Sequence, residues 1–213
     1  MNTLFAHIPK WIQGLFPGLV WRVQTKQKEL YLTFDDGPTP EITEWTLDLL
    51  KKYGAKATFF CLGRNCVAHP LLFQKITAAG HRIGNHSFDH KKGWKTSTHH
   101  YVQNILKAQE IYKEKGGEND RKLFRPPYGK LLPSQIRALK KKGYRIVLWD
   151  VLSLDFDTKV PKETCWKTLE KHSQKGSILV FHDSVKAEEK LKYLLPKVLA
   201  HFSKKGYRFL RLD

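Results

Sequence analysis

Seven short apolar runs alternate with helix-patterned segments along the 213 residues. The runs occupy residues 29–34, 57–61, 81–85, 122–124, 144–149, 177–181 and 207–210. Between them the spacing predicts helices over 41–53, 70–79, 98–115, 133–142, 162–174 and 186–205. Glycine follows these segments at Gly80, Gly116, Gly143, Gly176 and Gly206, the residue a helix C-terminus favours. Strands that are apolar throughout, without alternation, are covered on both faces, and that is the situation of a parallel sheet flanked by helices. About seven such units without a glycine-rich dinucleotide fingerprint predict an α/β fold whose sheet closes, or nearly closes, into a barrel. An open doubly wound sheet is the runner-up.

Parallel α/β folds gather the C-terminal ends of their strands on one face, and that face carries the chemistry. Here those ends are polar. Asp35 and Asp36 follow the first run, His86 the third, Arg125 the fourth, Asp150 and Asp155 the fifth, and His182 and Asp183 the sixth. Five such clusters are expected to meet in space. The adjacent carboxylates of Asp35 and Asp36 repel one another unless a positive charge lies beside them. Matching ligands stand fifty residues on, in Gly84-Asn85-His86-Ser87-Phe88-Asp89-His90. One carboxylate and two imidazoles form a three-ligand site with open positions, the composition of a hydrolytic zinc centre.

The order and spacing of the clusters resemble the polysaccharide deacetylase family, the NodB-homology domains of carbohydrate esterase family 4. The resemblance lies in Thr33-Phe34-Asp35-Asp36-Gly37, His86-Ser87-Phe88-Asp89-His90, Arg125-Pro126-Pro127-Tyr128, the stretch from Trp149 to Asp155, and Ile178-Leu179-Val180-Phe181-His182-Asp183. It runs from about Tyr31 to Leu210 and implies a distorted, TIM-like (β/α) barrel of about seven parallel strands. It also implies a reaction: hydrolysis of an N-acetyl group on N-acetylglucosamine-type units of a polysaccharide, oligosaccharide or peptidoglycan, with release of acetate. By the same resemblance Asp36, His86 and His90 hold a divalent metal, zinc first and cobalt or nickel as alternatives, at which water is activated as nucleophile. Asp35 is the general base, oriented by Arg125. The Tyr128 N–H completes the oxyanion hole, and His182 is the general acid, paired with Asp155. The sequence departs from the family pattern at Leu152, where relatives often carry aspartate, at Phe156, often tryptophan, and at Val180, often leucine. Tyr128, Trp149, Phe156, Val180 and Trp94 are the expected substrate-contacting residues.

Two rival readings remain at this level. An O-acetyl polysaccharide esterase would use the same apparatus. A non-catalytic sugar- or anionic-surface-binding protein would keep the fold without the chemistry. The net charge of +18 suits nucleic acid, an anionic membrane or an acidic polymer. The basic residues are dispersed and no groove-reading motif is present, so nucleic acid is not an expected partner. The dispersed charge reads first as solvated helix faces, with peripheral contact to an anionic membrane surface as the alternative.

Residues 1–28 form an apolar segment ahead of a catalytic domain at 29–213. In it Leu4, Phe5, Ile8, Trp11, Ile12, Leu15, Phe16 and Leu19 make a helical stripe interrupted by Pro9 and Pro17, expected to pack on the barrel. It lacks the pattern of a secretion signal. That absence, with three cysteines in no C-x-x-C spacing, leads to the expectation of a monomer in the cytoplasm or at the membrane periphery, an extracytoplasmic site being the alternative.

Overall fold

A computed structural model describes residues 6–117 and 122–213. Leu4 and Phe5 of the N-terminal stripe lie outside the described residues. The elements in chain order are α1 (Lys10–Gly14), β1 (Glu29–Asp35), α2 (Ile42–Lys52), β2 (Thr58–Cys61), α3 (Gly63–Ala68), α4 (Pro70–Ala78), β3 (Arg82–Asn85), α5 (Thr98–Glu114), β4 (Lys122–Phe124), α6 (Pro133–Lys141), β5 (Tyr144–Ile146), β6 (Val151–Leu152), α7 (Lys162–His172), β7 (Ile178–His182), α8 (Glu188–Lys204) and β8 (Arg208–Leu210).

The strands form one sheet in the order β5-β4-β3-β2-β1-β7-β6, with β8 beside the start of β1, and every strand pair is parallel. The path curls into the distorted barrel that the alternation predicts. All seven residues of β1 are buried, which follows from its central place and its flanking helices. Phe34 stacks between Phe59 and Phe181, with ring centroids 4.9 and 5.8 Å away. Burial of each such ring contributes roughly 1.5–3 kcal/mol. Gly143 (φ 81°) and Gly206 (φ 77°) end α6 and α8 in the left-handed region, where a side chain is disfavoured.

The N-terminal segment closes the seam between the two edges of the sheet. The Leu152 N–H donates to the Ala6 carbonyl (2.7 Å) and the Ile8 N–H to the Asp150 carbonyl (3.1 Å), covering β6. The Val20 N–H donates to the Ile146 carbonyl (2.8 Å) and the Leu148 N–H to the Val20 carbonyl (2.7 Å), covering the end of β5. Unpaired strand edges are thereby satisfied. Ala6 and Ile8 are buried, whereas Trp11, Leu15 and Phe16 of the expected stripe stand exposed. The helix that was to carry the stripe is only five residues long.

Three further points depart from the sequence reading. Helix α3 was not anticipated. The run 144–149 is strand only to Ile146, and a separate two-residue strand, β6, follows. Between them the chain drops back, so that the Asp150 N–H donates to the Ile178 carbonyl. Ile178 pairs with Tyr31, while His182 pairs with Asp35 four positions higher. Asp150 therefore lies about 13 Å below the catalytic face, at about 3.3 Å per residue. It is buried there, accepting from Ser177 Oγ (2.5 Å) and Gln13 Nε2 (3.1 Å). Asp150 fastens the N-terminal segment and does not join the cluster expected of it.

Candidate active site

The remaining clusters do converge. Asp35 ends β1, and Asp36 follows with φ 79°. The turn is held by Asp183, whose carboxylate accepts from the Gly37 N–H (3.1 Å) and from Thr43 Oγ1 (2.5 Å), while its own N–H donates to the Asp35 carbonyl (3.2 Å). A Cβ at residue 37 would lie 2.1 Å from an Asp183 carboxylate oxygen, so glycine is required there. Burial, reinforced by the charge of Asp36, pushes the Asp183 carboxyl up to about 8 against the opposing pull of its hydrogen bonds. Asn65 completes the turn from α3 by donating to the Asp36 carbonyl (2.8 Å).

Asp36 Oδ1 lies 3.6 Å from His86 Nε2 and 3.3 Å from His90 Nε2, and the three possible ligand atoms all fall within 4.8 Å of one another. His86 Nδ1 is 2.8 Å from the Arg125 carbonyl, which can only accept, so Nδ1 carries the proton and Nε2 presents its lone pair. Burial pushes the His86 imidazole down to about 3 and also lowers that of His90, although Asp36 pulls both the other way. Both rings are therefore neutral at ordinary pH. Asp36 Oδ1 is buried with no hydrogen-bond partner. A buried carboxylate oxygen without a hydrogen-bond donor, close to two imidazole nitrogens, is an arrangement that a cation would satisfy. The residues fit a divalent ion, with imidazole and carboxylate donors suited to zinc-type coordination.

The loop that presents the histidines is pinned through Asn85 and Asn104. Asn85 Oδ1 accepts from the Ser87 N–H (2.8 Å), and Asn104 Oδ1 from the N–H groups of Phe88 and Asp89. Among the described residues six non-glycine residues have φ in the left-handed region, and Asp36, Ser87, His90, Tyr128 and Leu154 all belong to or adjoin the motif segments. Each costs of the order of 1–3 kcal/mol, and such strain collects where function over-determines the backbone.

Arg125, at the end of β4, is completely buried. Its Nη1 donates to Asp35 Oδ1 and to Thr33 Oγ1, both at 2.7 Å, and its Nη2 donates to the Leu148 carbonyl (2.9 Å). The guanidinium stacks 4.2 Å from the Phe60 ring centroid. Oδ2 of Asp35 receives no hydrogen bond among the described residues. His182, on β7 beside Asp35, shares a 2.7 Å hydrogen bond between Nδ1 and Asp155 Oδ1, and its N–H donates to Asp155 Oδ2 (2.8 Å). Burial lowers the pKa of this imidazole. The charge and hydrogen bond of Asp155, with smaller help from Asp36 and Asp35, outweigh burial and hold it up to about 9. Two histidines in one site are thus kept neutral and a third is kept charged, which is how one pocket assigns different proton tasks.

Tyr128 is 52 % exposed at the rim, its ring 4.6 Å from that of His90 and 5.1 Å from Lys92 Nζ. Phe156 meets the His182 ring edge-on at 4.8 Å. Trp149 packs beneath the Pro127–Gly129 turn, where a Cβ on Gly129 would come within 2.6 Å of it. Trp94 is exposed beside the same loop, donating to the Leu131 carbonyl (3.0 Å) and flanked by Lys130. Val180, expected to meet the acetyl methyl, is only 1 % exposed. It packs in the core below His182 and offers no surface to a ligand.

Thr33, Asn65, Asn104 and Asp183 position these groups without having been given that task by sequence. Thr33 and Asp183 lie inside the motifs, but Asn65 and Asn104 carry no local signal.

A partly buried carboxylate-imidazole triad that could hold a metal ion, beside an Arg–Asp pair and an Asp–His pair at the C-terminal mouth of a (β/α) barrel, has the composition of a hydrolase site. Residues 22–147 match the polysaccharide deacetylase family profile. The chain is similar to a peptidoglycan-N-acetylglucosamine deacetylase of Bacillus cereus, 32 % identical over 196 residues that cover 92 % of this chain and 91 % of the relative. It is also similar to a chitooligosaccharide deacetylase of Azorhizobium caulinodans, 31 % identical over 172 residues that cover 81 % of each. A crystal structure of a peptidoglycan N-acetylglucosamine deacetylase in complex with 4-naphthalen-1-yl-N-oxidanyl-benzamide superimposes with a TM-score of 0.86 at 31 % identity, covering 96 % of this chain and 95 % of that one. The chain belongs to the polysaccharide deacetylase family, carbohydrate esterase family 4, and is a deacetylase acting on carbon–nitrogen bonds.

Proposed function

We propose that the protein removes the acetyl group from N-acetylglucosamine-type units of peptidoglycan or a related glycan, with zinc held by Asp36, His86 and His90. The observation that carries this reading is the bare Asp36 Oδ1 facing two neutral imidazoles, with the Asp35–Arg125 and His182–Asp155 pairs alongside. A divalent ion bound there supplies Lewis acidity, polarising the acetamide carbonyl and bringing the pKa of water toward about 7. Asp35 accepts the proton of the attacking water at Oδ2, while Arg125 engages Oδ1 and fixes the plane of the carboxylate. The Tyr128 N–H, in a turn of left-handed backbone beside His90, would donate to the oxygen that gains charge. The charged His182 gives its proton to the departing nitrogen as the C–N bond breaks, leaving acetate and a free amine. Tyr128, Phe156 and Trp94 stand around the site with Trp149 packed beneath the Tyr128 turn, and aromatic faces of this kind suit sugar rings.

The experiment is to incubate zinc-loaded protein with N-acetylglucosamine oligomers, peptidoglycan and acetylated xylan, and to quantify acetate. Release from the N-acetylated substrates, abolished by chelator and restored by zinc, is expected. Release from xylan alone would replace the reading with an O-acetyl esterase, and no release from any substrate would remove it.

A pH prediction follows from His182. A group held up to about 9 stays charged through neutrality and loses its proton as pH rises through that value, so kcat/KM falls on the alkaline side near 9. Asp155→Asn removes the partner that raises it. The alkaline limb then moves down toward the ordinary histidine value of 6.5. In the same sense the pairing stabilises the fold fully below about 6.5, and that contribution fades as pH climbs through about 9. An unshifted limb in the variant would separate His182 from the proton transfer.

A further inference from the structure

The exposed side chains of the N-terminal segment are not scattered. Trp11 is 70 % exposed, Leu15 64 % and Phe16 49 %, all within six residues. A contiguous ridge of this kind on a protein surface marks an interaction site, whereas isolated apolar residues do not. The ridge is held firmly from below. Gln13 donates to the Ile8 carbonyl (2.8 Å) and to the buried Asp150 carboxylate (3.1 Å), and Trp21 Nε1 donates to the Phe16 carbonyl (3.5 Å).

Its border is cationic. Within residues 11–28 Lys26 and Lys28 are exposed and no carboxylate occurs. Residues 133–145, the α6 hairpin into β5, contain Arg137, Lys140, Lys141, Lys142 and Arg145 and again no carboxylate. The two stretches adjoin: Lys140 Nζ lies against Gly18, 1.9 Å from where a Cβ would stand. Arg22 is turned inward, donating to the Lys175 carbonyl (2.6 Å) and lying 3.9 Å from the buried Asp150 carboxylate, so it is not part of this border. Aromatic and aliphatic side chains beside a cluster of exposed lysines match the interface of an anionic bilayer, where rings sit at headgroup depth and cations meet lipid phosphates. A partner protein of neutral surface would leave the border unused.

No helix among the described residues is long and apolar enough to cross a membrane, so the contact is peripheral. We propose that the ridge of Trp11, Leu15 and Phe16, with the lysines of α6 beside it, seats this protein on an anionic phospholipid surface. The ridge is fastened at the level of Asp150, below the sheet register of Asp35 and His182. The catalytic mouth then faces away from the lipid.

The test is co-sedimentation of the full chain with vesicles of phosphatidylglycerol and phosphatidylcholine, and with vesicles of phosphatidylcholine alone. Binding is expected to the anionic vesicles only. It should weaken about tenfold when salt rises from about 0.1 M to about 1 M, as the screening length shrinks from about 10 Å to about 3 Å. A triple variant, Trp11→Ser with Leu15→Ser and Phe16→Ser, should bind about tenfold more weakly or less well still, because the inserted apolar area is gone. A second variant, Lys140→Ser with Lys141→Ser and Lys142→Ser, should lose the preference for anionic lipid. Unchanged circular dichroism and unchanged acetate release from a soluble oligosaccharide would certify that both variants are folded. Equal binding to both vesicle types, or full binding by the triple variant, overturns the proposal. So does sedimentation equilibrium in which the wild type is a dimer, the triple variant a monomer and neither binds vesicles, since the ridge then joins two copies of the chain.

Discussion

His90→Asn is expected to lower acetate release about 10³-fold at fixed zinc while leaving the fold intact. The substitution is chosen for its backbone. Residue 90 has φ 58°, a conformation that asparagine tolerates better than most residues. Its main-chain N–H bond to Ser87 Oγ (3.0 Å) does not involve the ring. Beyond its approach to Asp36 Oδ1 (3.3 Å), the imidazole packs against the Tyr128 ring, so its loss removes chiefly a ligand. What would disappear is one of three atoms that could enclose a divalent ion, and with it the several kcal/mol of transition-state stabilisation that Lewis acidity would provide. Zinc titration should reveal weakened binding, and excess zinc should recover part of the activity. Tight stoichiometric zinc with undiminished turnover would dismiss the triad as a metal site.

Asp35→Asn should produce a comparable loss by a different route. Removing a general base costs about 10²–10⁴ in kcat. Asparagine can retain the Oδ1 acceptor for Arg125 Nη1, so the side chain keeps its place, but the completely buried guanidinium loses its counter-charge. Breaking such a pair destabilises by about 3–5 kcal/mol, and a lower melting temperature should accompany the kinetic defect. Zinc affinity should hardly change, because Asp36 and not Asp35 faces the histidines. That separation is the decisive outcome: one variant loses metal, the other keeps metal and loses turnover. Full activity in Asp35→Asn would send the proton elsewhere.

The groups named in these predictions were legible because each sits in a short contiguous motif at the end of a buried strand. Sequence order then maps onto space through the parallel sheet, and the seven-fold alternation made that sheet visible. Asp150 misled for the same reason. It follows an apolar run as the others do, but the chain falls back by several register positions after Ile146, and nothing in the periodicity of Val147-Leu148-Trp149 announces a descent. β6 is two residues long and α3 six, both too short to express a period. Asn65 and Asn104 were invisible because a lone polar residue on a helix looks the same whether it meets water or caps a catalytic loop. Val180 stands two residues before His182, a position that suggests a place in the site, yet a strand neighbour of a site residue can be sealed beneath it, as Val180 is. The N-terminal stripe has helical spacing, but Pro9 and Pro17 confine α1 to one turn and leave its aromatic residues uncovered.

The closure of the barrel seam by Val20 reaches further than stability. Val20 receives the Leu148 N–H, the Leu148 carbonyl receives Arg125 Nη2, and Arg125 Nη1 grips Asp35. Three hydrogen bonds thus link the N-terminal segment to the base. A fragment trimmed to begin at Arg22, where the family match starts, would keep every motif yet lose the splint that sets the arginine.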